Sequence, residues 1–182
     1  MIIKIKQKQD QKNLGIVSVF FIFVLIFYNN ETFLSRNFEG PVSTVILLTL
    51  IIAAGVDNTE LHIYGSGDFE EELKIICQEN NNIKYFEVVP NNIVVKEQLK
   101  ATLLVNPWPT NEEYTKYSFP SKNMEYMISV TPFLTTRLEG IPHEYYNYLY
   151  TIDDYSVGYV KQKIEEVLAK PQSELDDFGE KA

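Results

Sequence analysis

Hydrophobic positions from Leu61 onward fall into short runs separated by stretches with helical periodicity. Leu61 to Tyr64 reads as a buried strand that stops at Gly65-Ser66-Gly67, a turn that glycine makes easy because it tolerates positive φ. Asp68 is placed to cap a helix from Phe69 to about Glu79, where Phe69, Leu73, Ile76 and Cys77 recur at helical spacing. Ile83 to Phe86, Thr102 to Asn106, Pro132 to Thr136 and Leu149 to Ile152 read as four more strands. Helices are expected over Val94 to Lys100, Pro120 to Ser129 and Val157 to Lys170, the last with Val160, Ile164, Val167 and Leu168 inward. Ser173 to Ala182 reads as the start of a further helix. Strand–helix units of this size predict an α/β fold: a Rossmann-like parallel sheet with helices on both faces. Such sheets take ligands beyond the carboxyl ends of their strands.

The first sixty residues follow another pattern. Lys4, Lys6, Lys8 and Lys12 precede an apolar run from Ile16 to Tyr28 that only Ser18 interrupts. That order is the one a signal peptide or a membrane anchor at the inner face of the membrane uses, but no small-residue cleavage site follows it, only Asn29, Asn30 and Glu31, and spanning hydrocarbon takes about 20 residues. A buried core strand reads the same way, and both readings stay open. Residues 31–60 carry a clear break at Gly40-Pro41 and an almost wholly apolar stretch from Val45 to Val56. The chain thus divides into 1–30, a basic start and apolar run; 31–60, a divergent opening; and 61–182, the alternating region.

Charge and cysteine content narrow the function. A net charge of −9 argues against a nucleic-acid partner, whose phosphates call for clustered Lys and Arg. It leaves phosphorylated small molecules open, because helix-start amides hold phosphate without basic side chains. The single cysteine, Cys77, lies in the apolar row Leu73, Ile75, Ile76 and reads as a buried thiol, and two distant histidines make a histidine metal site unexpected. A cytoplasmic protein is expected.

The most informative segment runs from Asn106-Pro107-Trp108-Pro109 to Ser129-Val130-Thr131-Pro132. Pro120 suits the first turn of a helix, where its missing N–H is not needed. A helix started there aims free amides and a positive dipole end at the mouth of the sheet, a diphosphate site. On it Ser121, Glu125 and Ser129 form a polar stripe with Lys122 beside them, while Met124, Met127 and Ile128 form the buried one. Lys122 is equally suited to neutralise phosphate or to pair with Glu125. Ser118 and Ser121 suit helix capping slightly better than phosphate. Trp108 reads as a packing anchor, Tyr145, Tyr146, Tyr148 and Tyr150 as packing residues, and His143 as a surface residue.

The blocks Leu61-His62-Ile63-Tyr64-Gly65-Ser66-Gly67-Asp68, Ser118-Phe119-Pro120-Ser121-Lys122-Asn123-Met124-Glu125 and Gly140-Ile141-Pro142-His143-Glu144 stand in one order along the chain. In that order and spacing the chain resembles the large retaining glycosyltransferase family usually numbered four, of GT-B architecture, above all members that build capsule or exopolysaccharide. The resemblance covers the carboxyl-terminal, nucleotide-sugar-binding half and not the acceptor-binding half. It implies hexosyl transfer from a UDP- or GDP-sugar to a glycan or lipid-linked acceptor, without a metal. It implies a donor site of Gly65, Gly67, Ser118, Phe119, Pro120, Ser121, Lys122 and Glu125, with Glu125 accepting the ribose hydroxyls.

It also implies a separate acceptor-binding domain or subunit, and little activity for this chain alone. A non-catalytic remnant or partner subunit and a membrane-associated nucleotide-binding module are the alternatives. Against the family pattern, Tyr117 stands where a first glutamate is usual, and Val130 and Glu87 stand at glycine positions. Since a β-branched residue resists positive φ, the loop at Val130 is expected to be reshaped. The family's basic pair for the diphosphate has one candidate, Arg36.

Overall fold

The structure is a computed structural model that describes residues 2–7, 15–20, 56–66, 70–108, 113–154 and 156–182. Seven strands form one sheet: β1 (Ile2–Gln7), β2 (Gly15–Phe20), β3 (Thr59–Tyr64), β4 (Ile83–Tyr85), β5 (Leu103–Asn106), β6 (Phe133–Thr136) and β7 (Tyr150–Ile152). Five α-helices accompany them: α1 (Glu70–Glu79), α2 (Asn91–Gln98), α3 (Ser121–Ile128), α4 (Val157–Leu168) and α5 (Gln172–Glu180). Two 3₁₀ turns, Glu113–Tyr117 and His143–Asn147, complete the described elements.

The strand order is β4-β3-β1-β2-β5-β6-β7. With β1 set aside, the remaining six strands are parallel and stand in the chain order 3-2-1-4-5-6 of a doubly wound nucleotide-binding sheet. The expected Rossmann-like α/β architecture is therefore present, with one correction. The sheet is mixed, because β1 runs antiparallel to both β2 and β3, with Ile3 opposite Ile63 and Ile5 opposite Val17. The basic stretch at the chain start thus contains a strand, and the part of the apolar run from Ile16 to Phe20 lies in the sheet, paired with β5. Residues 21–28 lie outside the described residues. Among the described residues no helix is long and apolar enough to cross a membrane.

Alternation along the strands sends side chains to two cores, as a pleated strand requires. Leu61, Ile63, Leu103, Val105 and Leu134 face one side, where Leu73 of α1, Val160, Ile164, Val167 and Leu168 of α4 and Leu175 of α5 bury. Tyr64, Leu104 and Phe133 face the other, covered by α3 through Tyr126 and Met127, with Val94 of α2 against them. Helices lie on both faces, and the four expected inward positions of α4 are all buried. Tyr145, Tyr146 and Tyr148 pack on the second core and Tyr150 on the first, as read from their sequence. Cys77 is half-buried against the first core, and burial pushes its thiol up.

Two helices differ from the sequence reading. Helix α2 begins three residues earlier than expected, directly after Pro90, whose fixed φ suits the N-cap boundary. Helix α3 is rotated about its axis. Its inward row is Asn123, Tyr126 and Met127, while Met124 is 42% and Ile128 79% exposed and Ser129 is buried. Of the expected buried stripe only Met127 is inside. The rotation places an asparagine in the interior because that asparagine has a polar partner there, as described below.

Candidate functional site

Strand addition reverses direction between β2 and β5, and the carboxyl end of β5 therefore marks the point where doubly wound sheets bind ligands. Asn106 ends β5, and Asn106 Nδ2 donates to Asn123 Oδ1 in the first turn of α3 at 2.7 Å. This bond brings the amino end of α3 to the strand ends. Pro120 is the N-cap residue, and no side chain caps the helix. Neither Ser118 nor Ser121 acts as the cap, contrary to the sequence reading, because proline already occupies that position. Ser121 is exposed at the first helical position, so the helix start faces outward with its dipole unneutralised by a capping group.

The strand ends are tied to one another. Thr135 Oγ1 donates to Asn106 O at 2.8 Å. Thr136 Oγ1 accepts from Trp108 N at 2.7 Å and donates to Trp108 O at 2.9 Å, which anchors Trp108 through its backbone. Phe119 meets the Tyr145 ring edge-on at 4.9 Å. Gly140 lies so close to the Tyr117–Ser118 backbone that an added Cβ would fall 2.6 Å from Ser118 O and 2.7 Å from Ser118 N. The downstream segment beginning at Gly140 is thus the support against which the Ser118-Phe119-Pro120 turn is laid. Sequence spacing shows neither this approach nor the Asn106–Asn123 bond; the only signal is a polar residue on an otherwise apolar helical row.

Lys122 and Glu125 form an ion pair at 2.6 Å, with Lys122 13% and Glu125 42% exposed at the side chain. Of the two roles open to Lys122, the structure has the pairing with Glu125. Glu125 stands one helical turn from Ser121.

Gly65 takes φ 116° at the end of β3, donates from its N to Glu87 O at 2.6 Å and accepts from Tyr85 Oη at 2.7 Å. Burial, with the nearby Glu70 and Glu87 carboxylates, pushes the Tyr85 hydroxyl up to about 12, so it stays a donor. Strands β1 and β2 stand between this turn and the end of β5, so Gly65 is not brought against the α3 residues. Gly67, Asp68, Phe69 and Arg36 lie outside the described residues.

The backbone at Val130 corrects the sequence reading, and Glu87 behaves in the same way. Val130 adopts φ 58° and Glu87 φ 53°. Both hold the left-handed conformation that glycine favours, so the loop at Val130 is not reshaped and the strain, about 1–2 kcal/mol per residue, is accepted. Tyr117 is 83% exposed. Arg137, at the end of β6, donates from Nε to Asp153 at 2.5 Å and from Nη2 to Thr151 Oγ1 at 3.0 Å, with its guanidinium 4.4 Å over the Tyr146 ring. It is the arginine at the carboxyl edge among the described residues, and it was not singled out from the sequence.

Buried Asn123 Nδ2 has no partner, an orphan donor that costs about 1–3 kcal/mol. Among the described residues no group of three or more His, Cys, Asp or Glu side chains is placed to hold a metal ion. A groove at the opposite edge of the sheet, lined by Leu99, Thr102, Val130, Pro132, Lys170 and Gln172 among others, contains none of the expected site residues. The strand-end rule gives it no claim over the carboxyl edge. No protein-family model matches the chain, and no curated protein matches it.

Proposed function

We propose that the carboxyl edge of the sheet binds a nucleoside diphosphate sugar, as the donor half of a retaining GT-B sugar transferase of the family usually numbered four. The observation that carries this reading is the backbone at Val130 and Glu87. A valine and a glutamate keep left-handed φ at the two positions where that family has glycine. Loops free to drift would have relaxed to cheaper conformations. The diphosphate of a UDP- or GDP-sugar lies at the uncapped start of α3, near Ser118, Phe119, Pro120, Ser121 and Lys122, and Glu125 accepts the ribose hydroxyls.

The helix dipole stabilises charge on the departing diphosphate, and no metal is needed. The acceptor, a glycan or lipid-linked sugar, is held by a separate domain or subunit, and the chain works on the cytoplasmic side of a membrane it touches at most peripherally. A second reading, a non-catalytic partner subunit, is favoured by Tyr117, an exposed tyrosine where the family places its donor-sugar glutamate.

Calorimetric titration with UDP and GDP tests the proposal. Glu125→Ala removes hydrogen bonds to a charged acceptor worth about 1.5–3 kcal/mol, a loss of roughly tenfold to a hundredfold in affinity. Equal affinity in the parent and Glu125→Ala rules out the ribose role. Slow hydrolysis of a labelled donor, lost in Glu125→Ala, separates the two readings, since it needs only the donor and water and a non-catalytic subunit would not turn the donor over.

A further inference from the structure

We propose that the Asn106–Asn123 amide pair is the positioning device of the nucleotide site, an inference that rests on the nucleotide-binding reading above. Asn123 is fully buried, and Asn106 is 2% exposed. Asn106 donates from Nδ2 to Asn123 Oδ1 at 2.7 Å, and its carbonyl accepts from Thr135 Oγ1 at 2.8 Å. One chain of hydrogen bonds therefore runs from the end of β6, through the end of β5, into the first turn of α3.

The helix needs such an anchor. It has eight residues, fewer than the roughly 12–15 at which an isolated helix becomes marginal in water. Its N-cap is Pro120, which brings no side-chain oxygen to the first amides. A capping serine or aspartate would fix the start but would occupy the amides a diphosphate needs. Fixing the turn from beneath, through Asn123, leaves those amides open.

The orphaned Asn123 Nδ2 points the same way. A position kept only for stability on the row of Tyr126 and Met127 would hold an apolar side chain with nothing left unpaired. Asparagine there gives up stability and gains a fixed helix start. Asn123 and Asn106 touch no substrate in this account and act through the amides of Ser121 and Lys122.

Amide hydrogen exchange and calorimetry on the full chain test this together, with Asn123→Ala, Asn106→Ala and Asn123→Asp. Asn123→Asp keeps the oxygen to which Asn106 donates. In either alanine variant, exchange at the Glu125 and Tyr126 amides, which bond back to the first turn, should rise about tenfold. Exchange at Leu104 and Val105 should not change. Affinity for UDP or GDP should fall roughly fivefold to tenfold, the loss of one net hydrogen bond's worth of order. Asn123→Asp alone should keep the parent's exchange, and combined with Asn106→Ala it should not bring the raised exchange back down.

Unchanged α3 exchange in Asn123→Ala overturns the inference, as does equal acceleration across the whole sheet. Altered α3 exchange with unaltered nucleotide affinity overturns the link to the site. Should the parent bind neither UDP nor GDP, the proposed function fails, and the exchange measurements still decide whether the pair fixes the helix.

Discussion

The carbonyl oxygen of Val130 occupies the space a Cβ on Gly179 would need. Such a Cβ would also fall 2.8 Å from Val130 C and 3.2 Å from Pro132 Cδ, so α5 docks on the turn after α3 with no room for a side chain. The overlapped atoms are backbone, and they cannot rotate away. Gly179→Ala should therefore cost about 1–3 kcal/mol and lower the melting temperature by roughly 2–12 °C, measured by calorimetry or circular dichroism. An unchanged melting temperature would mean that α5 does not sit on this turn.

Val130 itself carries backbone strain, with φ 58° on a β-branched residue that is 46% exposed. Glycine at that position removes about 1–2 kcal/mol of strain and returns part of it as unfolded-chain entropy, about 0.4–1 kcal/mol. Val130→Gly should raise the melting temperature by about 1–4 °C. Val130→Ala should not, because alanine keeps the Cβ. Equal responses of the two variants would dismiss strain as the cause.

Acid titration reports on the end of β7. Burial works against the charge on Asp153, but the hydrogen bond and charge of Arg137 outweigh it and hold the carboxyl below its usual range. A carboxyl with a depressed folded pKa stabilises above its unfolded value, near 3.9, and that contribution is lost as pH falls through the folded pKa. The parent should be more stable than Asp153→Asn at pH 6, and the gap should close as pH falls through the folded pKa. Half-exposure of the pair means that salt should narrow the gap as well. A gap independent of pH would assign the difference to packing.

Removing residues 1–20 takes out β1 and β2, which join β3 to β5. The shortened chain should lose its cooperative thermal transition and associate through open strand edges, seen by circular dichroism and gel filtration. A folded monomer with the parent's melting temperature would mean that these strands are dispensable.

Much of the fold is readable from residue order alone, and the failures share a cause. Leu103-Leu104-Val105 and the Val160, Ile164, Val167, Leu168 row have one favourable burial whatever surrounds them, so the β5 and α4 assignments match the structure. Lys4 and Lys6 read as part of a charged block because alternation over so few residues acquires meaning only from a partner strand. The partners of β1 are β2, which follows within ten residues, and β3, which comes more than fifty residues later. On α3, hydrophobicity favours Met124 and Ile128 as inward, and Asn123 displaces them through Asn106 across the turn. In the candidate site, Ser118 to Glu125 stand together in the sequence because they are consecutive. Gly140 and Asn106 act through tertiary approach, and Arg137 through strand ends that meet only after folding.

The antiparallel strand in the middle of the sheet also sets the order of assembly. Strands β5, β6 and β7 are joined by α3 and a short 3₁₀ turn and can associate as soon as they exist. Ile3 must wait for Ile63, and Val17 for Leu103, so the central ladder is made of contacts far apart along the chain. Long-range closure of this kind slows folding. On a ribosome adding about 5–20 residues per second, β1 and β2 can pair with each other early, but their outer edges wait several seconds for β3 and β5. The strand edges of this pair are then open to any chaperone nearby until β3 and β5 take their places. Two open strand edges thus mark a period in the life of the nascent chain that the finished sheet no longer shows.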